Sequence, residues 1–153
     1  MQLVLFHPQI PPNTGSIARL CAATDTQLNL IQPLGFSLED RYLKRAGLDY
    51  WPWVRLQVWS SWQEFADQAG SGSQVILTSA RARRNLFQYS FTGQETIVLG
   101  PESQGLPEWL LQSYPVHLRV PILQEDAVRS LNLASAAAIV LYEALRQTGR
   151  LEA

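Results

Sequence analysis

A chain of 153 residues, 46% hydrophobic and 16% charged, has material for one sizeable core and is excluded from the disordered class. A formal charge of −1 argues against a general polyanion sponge, and a single cysteine excludes an internal disulfide and a cysteine-built zinc site. No apolar run reaches the roughly 18 residues of a membrane span, and the chain starts directly in a strand pattern. These features predict a cytoplasmic protein with no membrane partner and no metal.

In chain order, Gln2 to Phe6 reads as a central strand. His7 to Pro12 carries three prolines and predicts an extended loop, because proline bars helix and restricts its predecessor. Asn13 then suits the N-cap of a helix in which Ile17, Leu20 and Cys21 follow helical spacing, with Arg19 projecting from its first part. Leu28 to Ile31 is a second strand. Residues 39–47 suit a short amphipathic helix stopped by Gly47, and an aromatic turn, Asp49 to Trp53, leads to a strand over 54–59. Ser60 or Ser61 caps a helix through Ala69, and Gly70 to Ser73 is a turn. A strand at 74–78 leads into an arginine-rich segment. Phe87 to Phe91 alternates apolar and polar residues as a strand would, yet Gly93 cuts it short, which leaves the stretch ambiguous. Strands follow at 96–99 and 116–120, separated by a helix near 107–112 with Pro107 in its first turn. The longest helical pattern closes the chain, from Leu133 to Gln147. Six strands alternating with five helices predict an α/β fold, a mostly parallel sheet with helices on both faces in a single domain over 1–153.

In such sheets ligands bind beyond the carboxyl ends of the strands. Gly100-Pro101-Glu102 with Gly105-Leu106-Pro107, and Arg129-Ser130-Leu131-Asn132, stand at two of those ends. Several familiar sites are missing: the chain has no dinucleotide-binding glycine fingerprint, no phosphate loop and no nucleophile elbow. His7 and His117 are its only histidines. All but one of the 12 basic residues are arginines, and two groups are local: Arg41, Lys44, Arg45 and Arg81, Arg83, Arg84. The arginine fork matches phosphate, which makes both groups candidate RNA contacts, with solvated surface as the plain alternative.

Three ordered blocks resemble the SPOUT-class RNA 2′-O-methyltransferases. Asn13-Thr14-Gly15 with Arg19-Leu20-Cys21-Ala22 is similar to the first motif of that class, and Gly100 to Pro107 to the second. Val120-Pro121-Ile122, Arg129 to Leu133 and Tyr142-Glu143-Ala144 are similar to the third. Ile10 to Gly15 and Arg45 to Tyr50 strengthen the likeness, which spans nearly the whole chain. The resemblance implies a C-terminal trefoil knot, S-adenosylmethionine as methyl donor, and a homodimer with Tyr142 at its interface. Within the class, a minimal chain without an extra RNA-binding domain is similar to the enzymes that modify the tRNA wobble nucleotide. That implies the anticodon stem-loop as partner; another RNA position and a non-catalytic RNA-binding dimer are the alternatives. The resemblance also places the cofactor at Thr78, Gly100, Ile122, Ser130 and Leu131, and catalysis at Arg19, Asn13, Glu102, Ser130 and Asn132.

Each of these residues has a plainer reading. Asn13 and Asn132 suit helix caps, Arg19 a surface ion pair, and Ser130 a turn. Glu102 suits an acceptor for loop N–H groups, and Cys21 a buried apolar position. Trp51, Trp53, Trp59 and Trp62 suit core or dimer packing rather than base stacking.

Overall fold

The computed structural model describes residues 1–39, 43 and 49–152. Seven parallel strands form one sheet in the order β3-β2-β1-β6-β4-β7-β5. They are β1 (Gln2–Phe6), β2 (Gln27–Ile31), β3 (Leu56–Trp59), β4 (Gln74–Thr78), β5 (Arg84–Asn85), β6 (Glu95–Leu99) and β7 (His117–Arg119). Helices α1 (Pro11–Ala23), α2 (Trp62–Gln68), α3 (Glu108–Ser113) and α4 (Leu133–Gln147) cover the two faces.

The side-chain alternation of a strand explains why these segments are apolar throughout. In β1, Leu3 and Leu5 point to one face, while Val4 and Phe6 point to the other. Both faces are covered, so the usual polar alternation disappears. The first face packs Leu3, Leu5, Leu28, Ile76 and Ile97 against Ile17 and Cys21 of α1 and Val140 and Leu141 of α4. The buried positions of α4 are Ala137, Val140, Leu141, Ala144 and Leu145, spaced by three, four, seven and eight residues, as a one-sided helix requires. The second face sets Val4, Phe6, Leu77 and Val98 against Trp59, Trp62 and Phe65 from β3 and α2 and Leu110 of α3. Each fully buried large side chain contributes about 1.5–3 kcal/mol, so both layers matter to stability. Trp59 and Trp62 therefore belong to the core, whereas Trp53 is 76% exposed.

The second layer also takes in a polar amide. Asn29 of β2 is buried, accepts from Trp59 Nε1 at 2.9 Å, and donates to Gln2 Oε1 and the Leu3 carbonyl. Every polar atom of the amide is thus satisfied, which removes the cost of burying it.

Several expectations need correction. Pro11 and Pro12 do not lie in an extended loop; they open α1, where a missing N–H costs nothing. Asn13 is consequently not the N-cap. Ile10 holds that position, and Asn13 sits inside the first turn with its side chain free for other work. Arg19 falls in the second half of α1 rather than its first part. The strand expected over 54–59 begins at Leu56, because Trp51–Trp53 forms a short 3₁₀ turn. Pro107 precedes α3 as its N-cap instead of entering its first turn. A seventh strand, Arg84–Asn85, pairs only with β7. The helix expected over 39–47, and with it Arg41, Lys44 and Arg45, lies outside the described residues apart from Glu39 and buried Leu43. Strand β7, last in sequence, is inserted between β4 and β5, so the link 79–83 passes from one side of β7 to the other.

Candidate active site at the carboxyl edge of the sheet

Because all the strands run the same way, the loops after β1, β4, β6 and β7 emerge along one edge. Three of these loops are tied together by three side chains, Asn132, Asn13 and Glu102. Asn132 caps α4: its Oδ1 accepts from the N–H groups of Ala134 (2.9 Å) and Ser135 (3.3 Å). Its Nδ2 is thereby left to donate, and does so to Asn13 Oδ1 at 3.0 Å. Asn13 in turn presents Nδ2 to Glu102 Oε1 at 3.4 Å. The donor and acceptor inventory of an amide fixes each orientation in this chain. Glu102 completes it by accepting from the N–H groups of Gln9 (2.9 Å) and Ile10 (3.1 Å). Its negative charge therefore sits at the amino end of α1, where the helix dipole favours it.

The network joins the starts of the first and last helices to the loop after β6. Two of the plainer roles are visible in it. Asn132 is a helix cap and Glu102 an acceptor of loop N–H groups, and both do so while binding Asn13. A second tie runs beside the first, Gln9 Oε1 accepting from the Ser103 N–H (3.1 Å) and hydroxyl (2.7 Å). Gln9 and Ser103 carried no signal in the sequence: Ser103 is an unspecified position within the Gly100 to Pro107 block, and Gln9 lies outside the matched blocks.

The glycines of this loop have separate reasons. At Gly100 an added Cβ would stand 2.6 Å from the Leu106 nitrogen and 2.7 Å from the Gly105 carbonyl carbon. The loop folds back on itself there, which by itself requires glycine, whatever the ligand. Gly105 has φ +68°, a conformation side chains disfavour.

Between β4 and β7, Ala80, Val120 and Ile122 line a cavity of about 180 Å³, together with Arg119, Glu125 and Arg129. Ligand sites usually exceed roughly 300 Å³, so the cavity suits one portion of a larger ligand. Arg119 pairs with Glu125, and its Nε is buried without a partner. Thr78 ends β4 with its hydroxyl donating to the Val98 carbonyl at 2.9 Å, two residues before Gly100. Ser130 is exposed and half-buried Leu131 follows it, next to cavity-lining Arg129. The residues expected at a cofactor thus cluster on this edge. A larger polar cavity of about 470 Å³ lies by Met1, Gln27, Arg55 and Arg150, at the opposite, amino edge, and none of the expected site residues line it.

Arg19 stands apart from the network. Six residues beyond Asn13, it lies about 9 Å along α1 and roughly 120° around it. That turn aligns it with Gly15 instead. An added Cβ at Gly15 would meet the Leu43 carbonyl oxygen at 2.9 Å, and the Tyr50 hydroxyl donates to the Gly15 carbonyl at 3.1 Å. The exposed guanidinium of Arg19 lies 5.8 Å from the centre of the Tyr50 ring, a cation–π contact that leaves its N–H groups available. No hydrogen bond joins it to Asn13, Glu102 or Ser130 among the described residues. Burial raises the Tyr50 hydroxyl pKa and the neighbouring Arg19 charge lowers it, the first prevailing.

Arg81, Arg83 and Arg84 are all exposed after β4. Tyr142 is 45% exposed on α4. The two histidines are structural: His7 stacks on Phe6 with ring centres 3.8 Å apart, and His117 Nε2 faces the Leu111 and Tyr114 carbonyls at 2.9 and 2.7 Å. Cys21 is buried in the core. Among the described residues no cluster of His, Cys, Asp or Glu could hold a metal ion.

The sequence as a whole and its parallel α/β sheet have known relatives. Residues 1–142 fit the SpoU rRNA Methylase family, and the chain belongs to it. Among its relatives, the tRNA (cytidine(34)-2′-O)-methyltransferase of Methylovorus glucosotrophus is 47% identical over 148 residues, covering 95% of this chain and 94% of that protein. A solved structure described as giving insights into the 2-OH methylation of C/U34 on tRNA superposes with TM-score 0.90. It is 45% identical, covering 95% of this chain and 94% of that one. The SpoU methyltransferase AviRb from Streptomyces viridochromogenes, in complex with the cofactor AdoMet, gives TM-score 0.86 over 100% of this chain and 61% of that one. At 24% identity it speaks for the fold alone.

Proposed function

We propose that this protein transfers a methyl group from S-adenosylmethionine to the ribose 2′-hydroxyl of the wobble nucleotide of tRNA, cytidine or uridine at position 34. The observation that carries the reading is the 47% identity, across nearly the full length of both chains, to a tRNA (cytidine(34)-2′-O)-methyltransferase.

The residues at the carboxyl edge fit the cofactor. The cavity offers apolar walls from Ala80, Val120 and Ile122 and an unpartnered N–H at Arg119 Nε. Thr78, Gly100, Ile122, Ser130 and Leu131 are the residues proposed to hold it. When bound, S-adenosylmethionine supplies an electrophilic methyl group, which leaves the protein mainly the task of alignment. Asn13, Glu102 and Asn132 hold the three surrounding loops in one arrangement. Arg19, which cannot deprotonate, binds the phosphate beside the target ribose and orients its hydroxyl. Ser130 or solvent accepts the proton as the oxygen–methyl bond forms. Arg81, Arg83 and Arg84, with Arg41, Lys44 and Arg45, hold the anticodon stem-loop by phosphate contacts.

The active form is a homodimer in the cytoplasm, with exposed Tyr142 at the contact between copies. The insertion of β7 between β4 and β5 supports a trefoil knot in the C-terminal half.

The test combines purified protein, methyl-labelled S-adenosylmethionine and tRNA from cells lacking the protein, followed by nucleoside mapping. Label is expected in a 2′-O-methylated pyrimidine at the wobble position. Label elsewhere would overturn the substrate, and no label with cofactor demonstrably bound would overturn the enzyme.

A further inference from the structure

Beyond β5 the chain makes a short 3₁₀ turn, Leu86–Gln88, that is held from three sides. Leu86 is fully buried, and Asn85 Oδ1 accepts from the Phe87 N–H at 2.9 Å. Arg84 lies 4.9 Å from the centre of the Tyr89 ring and donates to the Gln88 carbonyl at 3.3 Å, while Tyr89 packs edge-on against buried Phe91. This frame leaves Phe87 55% exposed. A fixed, wet aromatic ring is costly to solubility unless something covers it.

Its setting says what would. Asn85 is in register with Arg119, which lines the carboxyl-edge cavity, so Phe87 lies just past the same edge. The stretch Ser79 to Phe91 has three exposed arginines and no acidic residue. An aromatic face beside several guanidinium groups complements a polyanion that also carries flat rings, which describes single-stranded RNA.

We propose that Phe87 is the platform on which a base flanking the target nucleotide stacks, with Arg83 and Arg84 taking the neighbouring phosphates. This rests on the methyltransfer reading for its choice of RNA. Phe87 then contributes to holding RNA and leaves cofactor binding untouched.

The test compares wild type, Phe87→Ala and Phe87→Trp, exposed changes that leave the core intact. With unmodified tRNA, Phe87→Ala should raise KM for tRNA about tenfold, and Phe87→Trp should keep it near wild type. KM for S-adenosylmethionine should be unchanged in both. A single-stranded RNA carrying fluorescent 2-aminopurine gives a readout independent of activity: stacking on the wild-type protein quenches it, and Phe87→Ala abolishes the quench. Quenching that depends on Phe87 supports the platform even if methyl is transferred to another RNA site or not at all. Equal RNA affinity and quenching in all three proteins would overturn it. So would a Phe87→Ala protein that binds RNA normally but sediments as a smaller species, since the ring would then be a contact between copies.

Discussion

Replacing Glu102 by alanine removes one carboxylate and three hydrogen bonds at once, from Gln9 N, Ile10 N and Asn13 Nδ2. Hydrogen bonds to a charged group contribute about 1.5–3 kcal/mol each when buried. The Gln9 and Ile10 amides are reachable by water, which would resolvate them, so the total is discounted to about 2 kcal/mol. For a chain of this size that lowers Tm by about 4–8 °C. Glu102→Gln keeps an oxygen but loses the charge and should cost about half as much. Thermal unfolding followed by circular dichroism measures both. Amide exchange at Gln9 and Ile10 should accelerate with it, because the loop loses its brace. A Tm within about 1 °C of wild type and unaltered exchange would refute the bracing role.

Three further outcomes follow from the structure. Gly100→Ala places a Cβ 2.6 Å from a backbone nitrogen; the loop must shift, costing about 1–3 kcal/mol and most of the affinity for S-adenosylmethionine, which calorimetry reads directly. Arg19→Lys removes the bidentate fork and should lose most turnover while keeping cofactor binding, since among the described residues Arg19 makes no hydrogen bond to those proposed to hold the cofactor. Near-normal methylation by that variant would remove Arg19 from the mechanism. Burial pushes the Cys21 thiol from 9.0 up to about 12, so iodoacetamide at pH 8.5 should label it only after denaturation. The same shift means the native state holds that proton more tightly, so its contribution to stability declines as pH rises from about 9 towards 12.

The long periodic elements were legible in the residues themselves. Leu133 to Gln147 needed only its 3.6-residue spacing and Asn132 before it. β5 was not legible, and the reason is physical. Two residues carry no pattern, and Arg84 and Asn85 are a strand only because β7 lies alongside them. Asn13 misled for a related reason. A good capping residue just after two prolines invites the cap assignment, yet prolines fit the first turn equally well, and the deciding factor was the distant Glu102 and Asn132. Those partners lie 89 and 119 residues away, beyond any local rule. Arg19 was singled out through the resemblance alone, and its stacking on Tyr50 had no signature in the spacing.

The position of β7 also bears on when the protein becomes competent during synthesis. A growing chain that has emerged as far as β6 can assemble β3-β2-β1-β6-β4, a five-strand sheet with its own apolar faces. Residues 84–88 then have no strand beside them, because their partner has not yet been made. Only when His117–Arg119 slots beside β4 does that turn become fixed. β7 and the loop after it therefore both line the cavity and set the arginine-rich turn in place, and nascent chains cannot engage RNA through it before translation has passed β7.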